Sequence, residues 1–473
     1  MQISIKFQAI AVSAAFIFLN CTNSLAVQAY DPLGLKQAIE IALNNNLENK
    51  ISYQAAAIAE SQYQEALSAR WPTLTLQGGF QHRNEAPAFI FPSSTISLGG
   101  LSGALSAALG GAPVPSSITV QEQNVKLFNP DTTTASLQLL YPLYTGGKIS
   151  SLISQAGLGK EIAQVEMRRT TLQVIRDVKR YYFAAQLTKN LAATAHDTVN
   201  LLTVTRDLTK DIYEGGSATV NKLDYLKTDL AVSYAKSVEA DFSAKHKSAL
   251  AALVNAMGVP WDSQVSPVDA NSATIIASPQ IDALVKQAKD FNPQLGVLKL
   301  AVKLAGAKIE EARSGDLPQV ALTADSTHYY NSYYQGLTNE SNRNSWTIGI
   351  GVSMPLFEGW RTKNQVNTAN LEFQQMQEKQ KLVEQGIATL LKSLFIEFDN
   401  AREQVAISEQ ASHTAQENLE LTSRAFRIGA SKPQDVIEAN ILYAVLQCNL
   451  FKAQHDQLLN LAEIDYILGT EAE

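Results

Sequence analysis

The stretch Trp346-Thr347-Ile348-Gly349-Ile350-Gly351-Val352-Ser353-Met354 sets a large apolar residue at every second position, with Thr, Gly, Gly and Ser between them. Side chains of a strand alternate between two faces, so the pattern predicts a strand with one apolar face and one small, polar face. A strand of about nine residues is long enough to cross a bilayer at a tilt. It runs into Pro355-Leu356-Phe357-Glu358-Gly359. A closely similar string, Pro142-Leu143-Tyr144-Thr145-Gly146, lies 355 − 142 = 213 residues earlier. Before it, Ala135, Leu137, Leu139 and Tyr141 alternate with Ser136 and Gln138, which predicts a matching strand.

The echo extends in both directions, so the chain is a duplication. Tyr213-Glu214-Gly215-Gly216 matches Phe426-Arg427-Ile428-Gly429 at the same offset of 213, and Met257-Gly258 matches Leu468-Gly469 at 211. Upstream of the strands, Asn46 matches Asn292 and Pro72 matches Pro318, both at 246. The drop from 246 to 213 places 33 extra residues in the first copy, within about Ala86 to Ile118. That segment is rich in Gly, Ala, Ser and Pro and reads as a long loop. The expected organisation is a leader over 1–29, a first repeat over 30–260 with strands in about 73–144, a linker over 261–280, and a second repeat over 281–473 with strands in about 319–357.

Each copy has one grammar. A helix comes first, over about 35–70 with a break near Asn45, and over 281–313 with a break at Pro293. Strands follow, beginning at Thr73 and Gln319. Then comes a long helix, about Lys148 to Ile212 and Arg361 to Arg427, which at 1.5 Å per residue extends roughly 100 Å. A short Gly-containing turn leads to a returning helix. In the second copy this helix carries Ile437, Ile441, Ala444, Cys448, Phe451, His455, Leu458, Ala462 and Asp465, spaced alternately by 4 and 3, a coiled-coil seam. The first long helix shows a stripe of Ile175, Val178, Tyr182, Ala185, Ala192, Ala195, Val199 and Leu202. Cys448 and His455 sit on the seam without a second ligand at metal spacing and read as packing residues.

Composition narrows the function. The chain has 473 residues, of which 45% are hydrophobic and 18% charged, against roughly 25% charged in an average soluble protein. The net charge of −7 comes without a basic block, which argues against a nucleic-acid partner. Two cysteines and six scattered histidines offer neither a disulfide framework nor a metal site, and no cofactor motif, phosphate loop or catalytic triad is present. The N-terminus has one charge, Lys6, an apolar run from about Ile10 to Leu19, and small-residue cleavage sites at Ser24-Leu25-Ala26 and Val27-Gln28-Ala29: an export signal. Lipid attachment at Cys21 is the other reading; Asn20 and Phe18 before it favour ordinary cleavage. Beyond the signal no apolar stretch reaches 18 residues, so a helical membrane span is not expected.

Two hairpins give four strands with an apolar face, and strand edges cannot stay unpaired in lipid. The smallest membrane barrels use eight strands, so four per chain imply oligomerisation; three chains give twelve. Trp71, Tyr141, Tyr144, Phe357 and Trp360 at one end, and Tyr329, Tyr330, Tyr333 and Tyr334 at the other, are placed as interfacial girdles. A coiled-coil scaffold or adhesin without a pore is the competing reading, and the four amphipathic strands argue against it.

The duplicated plan, Leu317-Pro318 leading into a strand, the Pro142–Gly147 and Pro355–Gly359 strings leading out, and the aromatic-x-x-Gly turn resemble the TolC family of outer-membrane efflux channels. The resemblance covers essentially the whole chain after the signal. It implies a mainly α protein with a membrane β-barrel: a homotrimer with a twelve-stranded barrel in the outer membrane and an α-helical barrel in the periplasm. The implied partners are a periplasmic adaptor (membrane fusion) protein, an inner-membrane transporter and outer-membrane lipid; the cargo is not specified. Gly215, Gly216 and Ser217, with Gly429, Ala430 and Ser431, fall at the helical tips where adaptors dock in that family. Asp435 and Glu438, at i,i+3 on one helix face, stand where the family carries an acidic pair at its pore constriction. In a trimer they make two carboxylate rings that favour cations and bind multivalent ones. This sequence departs from the family at Phe426, where a tyrosine is usual, at Ser431, where an arginine is, and at Asn221 and Lys222, which bring no acid to the first copy.

Overall fold

The computed structural model describes residues 29–127, 130–216, 219–268, 281–330 and 343–470. The expected leader with Cys21, Ser217 of the first tip, Tyr333, Tyr334 and the linker from 269 to 280 lie outside the described residues.

The duplication governs the helices. In the first copy α1 (Leu35–Asn45) and α2 (Leu47–Ser68) precede the strands; α4 (Lys148–Glu214) and α5 (Lys222–Met257) follow them. In the second, α6 (Ile281–Phe291) and α7 (Pro293–Arg313) come before, and α8 (Arg361–Arg427) and α9 (Pro433–Leu468) after. The two long helices have 67 residues each and the two returning helices 36 each. The breaks between paired short helices have one cause. Asn46 Oδ1 accepts the Glu48 N–H at 2.8 Å, and Asn292 Oδ1 accepts the Leu295 N–H at 3.1 Å, so each Asn caps the helix that follows.

The strands are β1 (Ala29–Leu33), β2 (Thr73–His82), β3 (Ala88–Phe91), β4 (Ser94–Ser97), β5 (Ser117–Val120), β6 (Gln123–Lys126), β7 (Asp131–Tyr144), β8 (Gln264–Pro267), β9 (Gln319–Tyr330) and β10 (Asn344–Ser353). Composition predicts a loop over 86–118. The structure has instead two short antiparallel ladders, β3 with β6 and β4 with β5, and a helix between β4 and β5, α3 (Gly99–Ala108). The ladder partners, such as Ile96 and Ile118, stand 22 residues apart in the chain, and small residues dominate between them.

Contacts divide the chain into two compact units. The first comprises Met1–Lys50, Thr170–Val285 and Thr389–Glu473. Its core joins Leu33, Ala38 and Ala42 to Val178, Tyr182, Leu253, Met257 and Ala462. β1 pairs parallel with β8, and the buried Tyr182 hydroxyl stands 2.8 Å from the Leu33 carbonyl oxygen and 2.7 Å from that of Val268. Of the eight residues on the expected α4 stripe, only Ala192 is not fully buried. On α9, Ile437 and Ala462 of the seam are buried, while Ile441 is 43% exposed.

The second unit comprises Ile51–Arg169 and Lys286–Ala388. Its sheet has the antiparallel order β10-β9-β7-β2, so the two copies' hairpins join edge to edge through β7 and β9. Among the described residues, no helix is long and apolar enough to cross a membrane.

Candidate functional site

Register assigns every sheet residue to a face. Leu74 stands opposite Leu139, Leu139 opposite Ala324, and Ala324 opposite Ile348; in the next rows Leu76 meets Leu137, and Leu322 meets Ile350. Residues directly opposite one another share a face, so in these rows one side of the sheet is apolar across β2, β7, β9 and β10, while Ser326, His328, Asn344 and the His82–Asp131 pair share that side toward the loop end. The other side carries Thr75 opposite Gln138, Gln138 opposite Asp325, and Asp325 opposite Thr347, with Gly349 and Gly351 following. Much of the apolar side is exposed: Leu76 is 76% exposed, and Ile350 is 66% exposed. Among the described residues, β2 and β10 each have one unpaired edge. Trp71, Tyr144, Phe357 and Trp360 are exposed at the end where the strands meet the helices, and Tyr330 at the opposite end.

In the first unit, the reversals between long and returning helices place the remaining candidates. Gly216 and Gly429 both have a left-handed backbone, φ +77° and +75°, and an added Cβ would meet nothing within 4 Å at either. Their role is to reverse the chain. Gly215 differs: its N–H donates to the Asp211 carbonyl at 2.9 Å, closing the last helical turn. Ala430 N–H donates to the Ala425 carbonyl at 2.8 Å, and Ser431 Oγ donates to the Thr422 carbonyl at 3.3 Å, so these two tie the second reversal to α8.

Asp435 and Glu438 are both exposed on the first turns of α9. Asp435 Oδ2 accepts the Lys432 N–H at 2.9 Å and so caps its own helix; Glu438 Oε1 accepts from Gln434 Nε2 at 2.9 Å. The first copy repeats this arrangement at a position the sequence comparison misses. Asn221 caps α5, its Oδ1 accepting from Leu223 N at 2.8 Å, while Asp224 Oδ2 accepts the Asn221 N–H at 3.1 Å. Asp224 is therefore the counterpart of Asp435, and Lys227 that of Glu438, at an offset of 435 − 224 = 211. The absence of an acid inferred from Asn221 and Lys222 is corrected, because the first turn is two residues longer. The available signal was the 211 offset of Gly258 and Gly469, counted back from the helix ends. Nearby, Arg206 pairs with Asp207 at 2.6 Å and approaches Asp229 at 3.8 Å, linking α4 to α5. Among the described residues, no group of three His, Cys, Asp or Glu could hold a metal.

A family model described as outer membrane efflux protein matches residues 38–259 and 284–470. Among curated proteins, outer membrane protein TolC of Salmonella enteritidis is 27% identical over 195 residues, 40% of each chain. The chain thus aligns with less than half of that relative's length. Alkaline protease secretion protein AprF of Pseudomonas aeruginosa is 22% identical over 349 residues, 72% of this chain and 70% of the relative. Among solved structures, the Campylobacter jejuni CmeC outer membrane channel superposes with a TM-score of 0.74 at 13% identity, covering 92% of this chain and 85% of that one.

Proposed function

Because the chain belongs to the outer membrane efflux protein family, we propose that it is the outer-membrane exit duct of a tripartite efflux or type I secretion system. The observation that carries the reading is the sheet: four strands, one face apolar over its helix-end half, and two edges unpaired among the described residues. In lipid, such edges leave backbone N–H and C=O groups without partners, and only closure removes them. Three copies joined β10 to β2 close a twelve-stranded barrel. The apolar face then meets lipid, and the Thr, Gln, Ser and Gly face lines the lumen. The leader over 1–29 is removed on export. The repeats over 30–260 and 281–473, joined through 261–280, supply equivalent helices to an α-helical barrel in the periplasm. The 86–118 insertion leaves the sheet at its extracellular end.

Gly215, Gly216 and Ser217, with Gly429, Ala430 and Ser431, form the tips that dock to a periplasmic adaptor, which couples the duct to an inner-membrane transporter. Transport through the duct is passive. Asp435 and Glu438 line the constricted periplasmic mouth and favour cations there. Asp224, by its equivalence to Asp435, adds a third acidic position.

The test separates charge from capping. Asp435→Asn keeps an acceptor for the Lys432 N–H and removes the charge; Glu438→Gln does the same for the Gln434 contact. In planar bilayers the double variant should conduct like the parent or better and lose block by multivalent cations. Unchanged block would remove Asp435 and Glu438 from the pore.

A further inference from the structure

Within the paired strands the polar face of the sheet holds one formal charge; Arg83 and Arg343 continue its alternation just past the loop ends of β2 and β10, about 27 Å and about 14 Å along the strands from Thr75 and Thr347. Across the described residues of β2, β7, β9 and β10 that face is built from Thr, Ser, Gln, Gly and Ala, with Leu140, Pro142 and Tyr329 toward its ends. Asp325 is the exception. It lies within β9, between Gln138 on β7 and Thr347 on β10, and Thr327 Oγ1 donates to its Oδ1 at 2.9 Å. Asp is disfavoured inside strands, and a hydroxyl or amide would match the rest of this wall. We infer that Asp325 makes the barrel lumen itself cation-selective, as a second selectivity element separate from the acidic residues of the helical tips.

The inference rests on the trimeric channel proposed above. Twelve strands about 4.8 Å apart, tilted by about 40°, give a backbone radius of about 12 Å. Three Asp325 carboxylates then lie about 10 Å from an ion on the axis. At that distance in water, with a Debye length of about 10 Å at 0.1 M salt, three charges raise cation occupancy about twofold and lower anion occupancy by the same factor. The permeability ratio of cation to anion therefore changes about fourfold. The effect belongs to the barrel wall and does not depend on whether the periplasmic tips are open.

The experiment measures reversal potentials of the full-length protein in planar bilayers across a KCl gradient. Asp325→Asn is made in the parent and in the Asp435→Asn, Glu438→Gln background, and Asp325→Lys in the latter. In that background Asp325→Asn should lower the cation-to-anion ratio about fourfold near 0.1 M salt, and Asp325→Lys should turn the lumen toward anions. The differences should collapse near 1 M salt, where the Debye length is about 3 Å; a merely structural role would not show this dependence. Equal ratios with and without the Asp325 carboxylate in both backgrounds overturn the inference and leave the channel standing. A parent protein that forms no conducting oligomer overturns both.

Discussion

Ile350 and Gly351 are neighbours in sequence and lie on opposite faces of β10. Ile350 stands opposite Leu322 on the apolar face and is 66% exposed; Gly351 stands opposite Ala321 on the polar face, and a Cβ added there would meet nothing within 4 Å. If the apolar face meets lipid, Ile350→Arg puts a guanidinium into hydrocarbon near mid-height. The cost is about 2–4 kcal/mol per chain at the midplane, about three times that for a trimer, whereas a lumen-facing substitution costs little. Gly351→Arg adds the same charge to the wetted face and should change stability by less than about 1 kcal/mol. Both variants are refolded into liposomes and their unfolding is followed by loss of the heat-resistant oligomer on gels, with urea titration for the free energy. The expected order is parent, then Gly351→Arg close behind, with Ile350→Arg far below. Equal stability of the two variants, or greater damage from Gly351→Arg, refutes the assignment of faces.

Two other outcomes concern the helical unit. Gly258 ends α5 at φ +67°, and a Cβ there would lie 2.7 Å from backbone atoms of Asn45 and Asn46, whereas Gly429 has φ +75° in open space. Gly258→Ala therefore combines left-handed strain with a backbone clash and should cost about 3 kcal/mol or more; Gly429→Ala should cost about 1 kcal/mol, read from denaturation midpoints of the helical signal. Burial pushes the His246 imidazole below its ordinary value of 6.5; nearby Lys189 acts in the same direction, and a hydrogen bond to the Ala185 backbone opposes them. The unfolded chain then binds a proton first as pH falls, so the stability contributed above pH 6.5 is lost below it. His246→Gln should flatten that acid-side decline in melting temperature, and an unaltered pH profile would contradict it.

Much of this was legible in the sequence because backbone chemistry recurs at fixed offsets. Asn46 and Asn292 cap, Gly216 and Gly429 reverse the chain, Gly258 and Gly469 end helices in the left-handed region, and each needs a particular residue type. The alternation around Gly349 and Gly351 by itself distinguishes the two faces of β10 that the register shows. What stayed hidden depends on pairing. Small-residue composition conceals the ladders between Ala88 and Lys126, since pairing energy lies in partners far apart in the chain. The equivalence of Asp224 and Asp435 was masked by two extra residues in the first turn. That β7 pairs with β9, joining the copies, follows from no local pattern. Ile441, Leu442 and Val445 lie on or beside the α9 seam yet stay exposed within one chain, as helices do when part of their partner surface lies elsewhere.

Four strands per chain cannot close a membrane barrel alone; two copies would supply eight, and the proposed trimer supplies twelve. Native mass spectrometry of the protein extracted from outer membranes in mild detergent tests it directly. Three chains should stay together until the barrel unfolds; a folded, membrane-extracted monomer or a two-chain assembly would overturn the twelve-stranded barrel.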